Sequence, residues 1–224
     1  MNNSIKTSLI TGASNGIGLD LTKKLIAEGI KVIAVTRSGE VAGFSHPNLT
    51  VMQGDISNEE SIAKVAKQVA ELGISIDCLI NNAGVLVDAN TEVPTAAGLN
   101  ASFATNTVGT ALFTEALLNN VTDGGQIIFL STIMSLLRAA APDAPGYRMS
   151  KAALNMYVVM LSERLTKRNI RVTALHPGWV QTRMGGQTAP TTIEQSVNGI
   201  YKAITENTAI GKFWNVDSAG IENY

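Results

Sequence analysis

Ser8-Leu9-Ile10, running into Thr11-Gly12-Ala13-Ser14-Asn15-Gly16-Ile17-Gly18, is the stretch on which the fold turns. The first three residues close a short apolar strand that begins near Ile5. A helical pattern follows through Leu19, Leu21, Leu25 and Ile26. Strand, glycine-rich turn and helix is the setting a dinucleotide's pyrophosphate needs. Gly12 lets the chain turn tightly, Gly16 lets backbone approach a phosphate, and Gly18 lets the helix lie close to the sheet. The phosphates would sit at the helix N-terminus, facing free N–H groups and the positive dipole end. The spacing is Gly-x-x-x-Gly-x-Gly rather than the commoner Gly-x-Gly-x-x-Gly, and a glycine loop can also be only a structural turn.

Working outward, strands alternate with helices. Gly29 ends the first helix, and Lys31 to Thr36 reads as the second strand. No acidic residue stands at its end to bond a ribose 2′-OH; Arg37 follows instead, suited to a 2′-phosphate. Residues 43–48 read as loop, Leu49 to Gln53 as a third strand ending at Asp55-Ile56, and Asn58 as the cap of a helix that stops before Gly73. The wholly apolar run Ile76 to Ile80 predicts a parallel strand covered on both faces, ending in Asn81-Asn82-Ala83-Gly84. A long helical region spans about Thr95 to Asn119, with Asn106 inside it. Gly124-Gly125 reads as a turn before a fifth strand, Gln126 to Leu130, with Ser131 and Thr132 at its C-terminal end. Pro142 and Pro145 mark a loop. A helix from Tyr147 to about Lys167, a strand from Ile170 to Leu175, a loop over 176–186, a helix over Thr191 to Thr205 and a short strand within 211–216 complete the chain. This predicts an α/β fold: a doubly wound parallel sheet with helices on both faces, residues 1–224 forming one domain.

Composition narrows the partners. The formal net charge of -1 over 224 residues gives no reason to expect nucleic acid or an anionic membrane. The one cysteine, Cys78, lies in an apolar run and reads as a buried, inert thiol. The two histidines, His46 and His176, lack the spacing of a metal site, and His176 reads as structural. The N-terminus shows no signal region, and no apolar run could cross a bilayer, so a cytoplasmic protein is expected.

Tyr147-Arg148-Met149-Ser150-Lys151 carries the chemistry. A tyrosine and a lysine four apart share one helix face. An ammonium beside a phenol favours the phenolate and lowers its pKa from about 10 toward neutrality. Such a phenol can give a proton to a carbonyl oxygen or take one from an alcohol. The pair alone arises in many helices as a solvated ion and phenol. Nearly all the polar segments above leave a strand's C-terminal end or open the next helix, however, with Asn106 and Lys151 within helices. They therefore gather on one edge of the sheet, where open α/β sheets bind ligands.

Taken in order, Thr11-Gly12, Gly16, Gly18, Asn81-Asn82-Ala83-Gly84, Asn106, Tyr147, Lys151 and Pro177-Gly178 make the chain resemble the short-chain dehydrogenases/reductases over essentially its whole length. The Tyr-Arg-Met-Ser-Lys-Ala-Ala-Leu-Asn run, the segment after His176 and the Gly-Lys-Phe-Trp-Asn run are most similar to the sniffer and C-factor-like carbonyl reductase branch. The resemblance implies a Rossmann-type fold and NADP(H)-dependent hydride transfer between nicotinamide and a small carbonyl or alcohol substrate. It implies Tyr147 as the acid/base, Lys151 as its partner on the nicotinamide ribose, and Asn106 as holder of a proton-relaying water. Gly12, Ser14, Asn15, Ile17, Asp55, Ile56, Asn82, Gly84, Pro177, Gly178, Val180 and Thr182 would line the cofactor, with Gly16, Gly18, Arg37 and Ala83 beside them. The family places a serine just after the fifth strand. Here that place holds Thr132, with Ser131 before it and Ser135 as a third candidate, and the loop to Tyr147 is slightly long. A non-enzymatic NADP(H)-binding or signalling module on the same fold is the rival reading. The oligomeric state stays open, although the two long helices could pair across a two-fold axis to give a homo-oligomer.

Overall fold

Neighbouring residues on the central strands belong to two different cores. In the computed structural model, which describes residues 5–41, 43–206 and 211–224, Leu9, Leu79, Ile127 and Phe129 pack into one apolar cluster. Ile10, Cys78, Ile80 and Ile128 pack into another. Successive side chains of a strand point to opposite faces, so an unbroken apolar run is what a sheet covered on both sides requires.

The sheet has eight strands in the order β3-β2-β1-β4-β5-β6-β7-β8. They are β1 (Thr7–Thr11), β2 (Lys31–Thr36), β3 (Leu49–Gln53), β4 (Ile76–Asn81), β5 (Val121–Leu130), β6 (Arg171–His176), β7 (Phe213–Asn215) and β8 (Gly220–Glu222). All neighbours pair in parallel except β7 with β8. The helices are α1 (Gly16–Ala27), α2 (Glu59–Glu71), α3 (Ala96–Phe103), α4 (Thr110–Leu117), α5 (Pro145–Leu165) and α6 (Ile193–Glu206). Helix α1 packs with α6 on one face, and α2 with α4 on the other, where α5 also lies over β6. The strand order reverses between β1 and β4, and a crevice opens there at the C-terminal edge.

Three expectations differ from the structure. Strand β1 starts at Thr7 rather than near Ile5. Gly124 and Gly125 are not a turn but lie within β5, which continues back to Val121. A register shift between Ile76 and Cys78 absorbs them, and a Cβ on Gly125 would stand only 2.8 Å from the Thr122 carbonyl oxygen. Pro145 is not in a loop but is the first residue of α5, a position where its missing N–H costs nothing. The helical region from Thr95 runs unbroken to Asn120, as expected, but it is not all α-helix. A π-helical turn, Ala104–Gly109, separates α3 from α4. Strand β8 was not foreseen, being three residues with little apolar pattern. The expectation that no leader precedes the first strand falls partly on residues 1–4, outside the described residues. Among the described residues no helix is long and apolar enough to cross a membrane.

Candidate active site

The glycine turn is built by close approach. Gly12 and Gly16 have positive φ, 69° and 54°, where other residues are strained. A Cβ on Gly18 would fall 2.3 Å from the Gly12 carbonyl oxygen, so α1 can start here only with glycine. A Cβ on Gly16 would meet only Thr182, at 3.4 Å, because this backbone faces a cavity. Thr11 Oγ1 accepts from the N–H groups of Asn82 and Ala83, each at 3.1 Å. The Asn82 amide donates to the carbonyls of Thr11 and Gly12 at 2.9 and 3.1 Å, stapling β4 to the turn.

Two helix starts differ in a telling way. Asn58 caps α2 by accepting from Ser61 N–H, and Glu59 and Glu60 lie in its first turn. At α1 the Asn15 side chain makes no such cap, and the first turn holds no acid. The α1 N-terminus therefore presents unneutralised N–H groups and the positive dipole end to the cavity, which fits a phosphate.

That cavity, about 260 Å³, runs along the sheet edge. It is lined by Gly12, Ser14, Asn15, Gly16, Ile17, Gly18, Arg37, Asp55, Ile56, Asn82, Ala83, Gly84, Tyr147, Lys151, Pro177 and Thr182, all singled out from sequence. Thr105 and Val85, to which no sequence motif had pointed, also line it, as do Arg183 and Met184 of the segment after His176. Gly178 and Val180 do not. Gly178 backs onto Asp217 and Thr191, and Val180 is buried in a bridge to Thr191. Arg37 is exposed at the end of β2, and its charge reaches Asp55. Two hydrogen bonds from Ser57, with that charge behind them, hold the Asp55 carboxyl below the usual range.

At the other end of the cavity, α5 delivers Tyr147 and Lys151, both buried. The expected phenol–ammonium partnership is not what sets their acidity. Lys151 Nζ donates to the Leu130 carbonyl at 2.7 Å, and burial pulls its pKa down to about 8. Burial pushes the Tyr147 phenol up to about 12, against which the Thr132 hydroxyl is a smaller, opposing influence. Desolvation of each charged form is the largest cause in both cases. Asn106 sits in the π-helical turn, fully buried. Its amide accepts from Val85 N–H at 2.8 Å and donates to the Val85 carbonyl and Ser150 Oγ at 2.9 and 3.1 Å. One amide proton thus fixes the chain after Gly84, and the other ties the π-helical turn to α5. A Cβ on Gly84 would come within 3.2 Å of Asn106 Oδ1 and 3.4 Å of Lys151 Nζ, so that glycine keeps the three elements together.

The three hydroxyls after β5 differ in what they face. Ser131 contributes to the cavity wall, but its hydroxyl donates to Asn155 Oδ1 at 2.7 Å. Ser135 donates to the Thr132 carbonyl. Thr132 is not part of the cavity wall and accepts from Met134 N–H at 3.2 Å, and its hydroxyl is the group that draws the Tyr147 phenol down against burial. Sequence reasoning missed Asn155, and also Arg148, whose guanidinium holds the carbonyls of Met134, Ala139 and Asp143. It missed Asp88 too, whose carboxylate accepts from Gly146 N–H at 2.6 Å. Tertiary partners of this kind leave no local pattern. His176 is buried at the end of β6 beside Asp217, 3.5 Å away and outside the cavity.

The family model for short chain dehydrogenases matches residues 6–192. The chain belongs to the short-chain dehydrogenases. It is 32% identical over 223 residues to the short-chain dehydrogenase anuI of Penicillium roqueforti, covering 89% of this chain and 88% of that one. Among solved structures, the family member carbonyl reductase Sniffer of D. melanogaster superposes with a TM-score of 0.86 at 26% identity, over 95% of this chain and 97% of that one. An NADPH-bound carbonyl reductase from chicken fatty liver superposes with a TM-score of 0.89 at 27% identity, over 98% and 94%. Membership of this family makes the protein an oxidoreductase with a Rossmann-type fold.

Proposed function

We propose that the protein is an NADP(H)-dependent carbonyl reductase in which Tyr147 is the proton donor. The observation that carries this reading is that one cavity holds both the uncapped α1 N-terminus and the buried pair Tyr147 and Lys151. The cofactor, when bound, supplies a hydride; the chain supplies placement, a proton and exclusion of water. The glycine turn and α1 N–H groups hold the pyrophosphate. Arg37 grips the 2′-phosphate, no acid at the end of β2 opposing it. Tyr147, kept protonated through the neutral range by burial, donates to the carbonyl oxygen of the substrate. Thr132 Oγ1 steadies the same oxygen as negative charge develops on it. Lys151 balances the phenolate left behind.

A small carbonyl substrate is favoured because the phenol is buried in a cavity of about 260 Å³ that the cofactor must share. NADPH-bound and Sniffer-type carbonyl reductases among the structural relatives support the reading. The test is direct: dissociation constants for NADPH and NADH with the parent and with Arg37→Ala. Tighter NADPH binding in the parent, lost in the variant, is expected. Equal parent affinities, or a variant that binds NADPH undiminished, would refute the coenzyme assignment.

A further inference from the structure

Asn155 lies on α5 one helical turn beyond Lys151, buried at 5% exposure, and does not line the cavity. Its two amide ends reach two different residues of the segment after β5. Oδ1 accepts from Ser131 Oγ at 2.7 Å, and Nδ2 donates to Ser135 Oγ at 2.8 Å. Ser135, its oxygen occupied by that amide, passes its own proton to the Thr132 carbonyl. A hydroxyl has one proton to give. Ser131 and Ser135 have therefore both spent theirs, and among these three hydroxyls that of Thr132 is the one that acts on the Tyr147 phenol, drawing it down against burial.

We propose that Asn155 is a positioning residue, acting through Ser135 to hold the Thr132 hydroxyl against Tyr147. The inference rests on the reading of Tyr147 as proton donor. The helix that carries the phenol also carries the amide that places the phenol's partner, so the two cannot drift apart without breaking buried hydrogen bonds. Ser131 orients the amide from its acceptor side, and Ser135 is the arm that reaches Thr132.

The experiment is a double-mutant cycle read with NADPH and para-nitrobenzaldehyde, using the parent, Asn155→Ala, Thr132→Ala and the double variant. Asn155→Ala should lower kcat on the order of tenfold while the NADPH dissociation constant stays within about twofold. In the Thr132→Ala background, Asn155→Ala should have almost no further effect, because residues acting as one unit are not additive. A loosened fold would lower activity equally in both backgrounds. Ser135→Ala should reproduce the kcat loss and serves if Asn155→Ala folds poorly; Ser131→Ala should be mild. Unchanged kcat in Asn155→Ala, or an undiminished effect in the Thr132→Ala background, overturns the inference. If the parent does not reduce this aldehyde, that failure falls on the choice of substrate and not on Asn155. Residue-resolved amide exchange at Met134, whose N–H bonds Thr132 Oγ1, then decides the inference alone. Faster exchange in Asn155→Ala supports it, and unchanged exchange overturns it.

Discussion

Tyr147 and Lys151 show how burial changes what a motif does. Four-residue spacing places both on one face of α5, and both line one cavity. Spacing could not reveal that each would be desolvated, one pushed up to about 12 and the other down to about 8. A phenol that stays protonated at neutral pH favours reduction over alcohol oxidation. The cation that balances its phenolate is lost as pH rises through about 8. The dependence of kcat/KM on pH reports groups of the free enzyme. For carbonyl reduction it should therefore be level below about pH 7 and fall as pH rises through about 8. A profile flat to about pH 10 would contradict the role given to Lys151. The hydroxyl choice is also a residue-scale matter. Alternation of side chains leaving a strand points to one of Ser131 and Thr132, but not to which. What distinguishes them is that the Ser131 hydroxyl is spent on Asn155, whereas that of Thr132 acts on the acidity of the Tyr147 phenol. Thr132→Ala should lower kcat by about 10²–10³-fold, the usual loss for one oxyanion donor, and Ser131→Ala should do little. Steady-state kinetics of the two variants on one substrate check this, and a reversed order would swap the assignment.

The elements were legible where they follow a strict period. Apolar runs in β2 and β4 and the glycine turn before α1 could be read directly, because each meets a local requirement. The π-helical turn within the α3–α4 region was not legible, since Asn106 is placed by Val85 and Ser150, partners 21 and 44 residues away in sequence. Gly124-Gly125 misled because glycine pairs usually turn; here they serve a strand whose neighbour shifts register. The α1 start gives a sharp test. Gly18→Ala puts a methyl 2.3 Å from the Gly12 carbonyl oxygen, so the turn or the helix must move. Overpacking of this kind typically costs about 1–3 kcal/mol. Denaturant unfolding should show that loss, and NADPH titration should show weakened binding. Parental values in both would mean the turn has room that these contacts deny.

At the scale of the whole molecule, the two cores meet at the central strands, and Cys78 lies at that seam with no exposed surface. Burial pushes its thiol up to about 12, so it is neither ionised nor reachable at about pH 8. Its alkylation should proceed only through global opening of the sheet, with a rate that rises with denaturant as unfolding does. Rapid labelling of the native protein at about pH 8 would contradict the packing described. The whole molecule also makes the functional claim testable. The sheet's switch point brings the phosphate-binding turn and the α5 phenol into one cavity, and the central claim is that they work on one reaction. The most direct measurement is NADPH consumption by the parent and by Tyr147→Phe across a panel of aldehydes, ketones and quinones, with NADPH affinity measured for both. The account predicts turnover of at least one carbonyl by the parent. It predicts loss of that turnover in Tyr147→Phe, with the NADPH dissociation constant nearly unchanged. Turnover by Tyr147→Phe at the parental rate, or NADPH binding by a parent that reduces none of the panel, would contradict it.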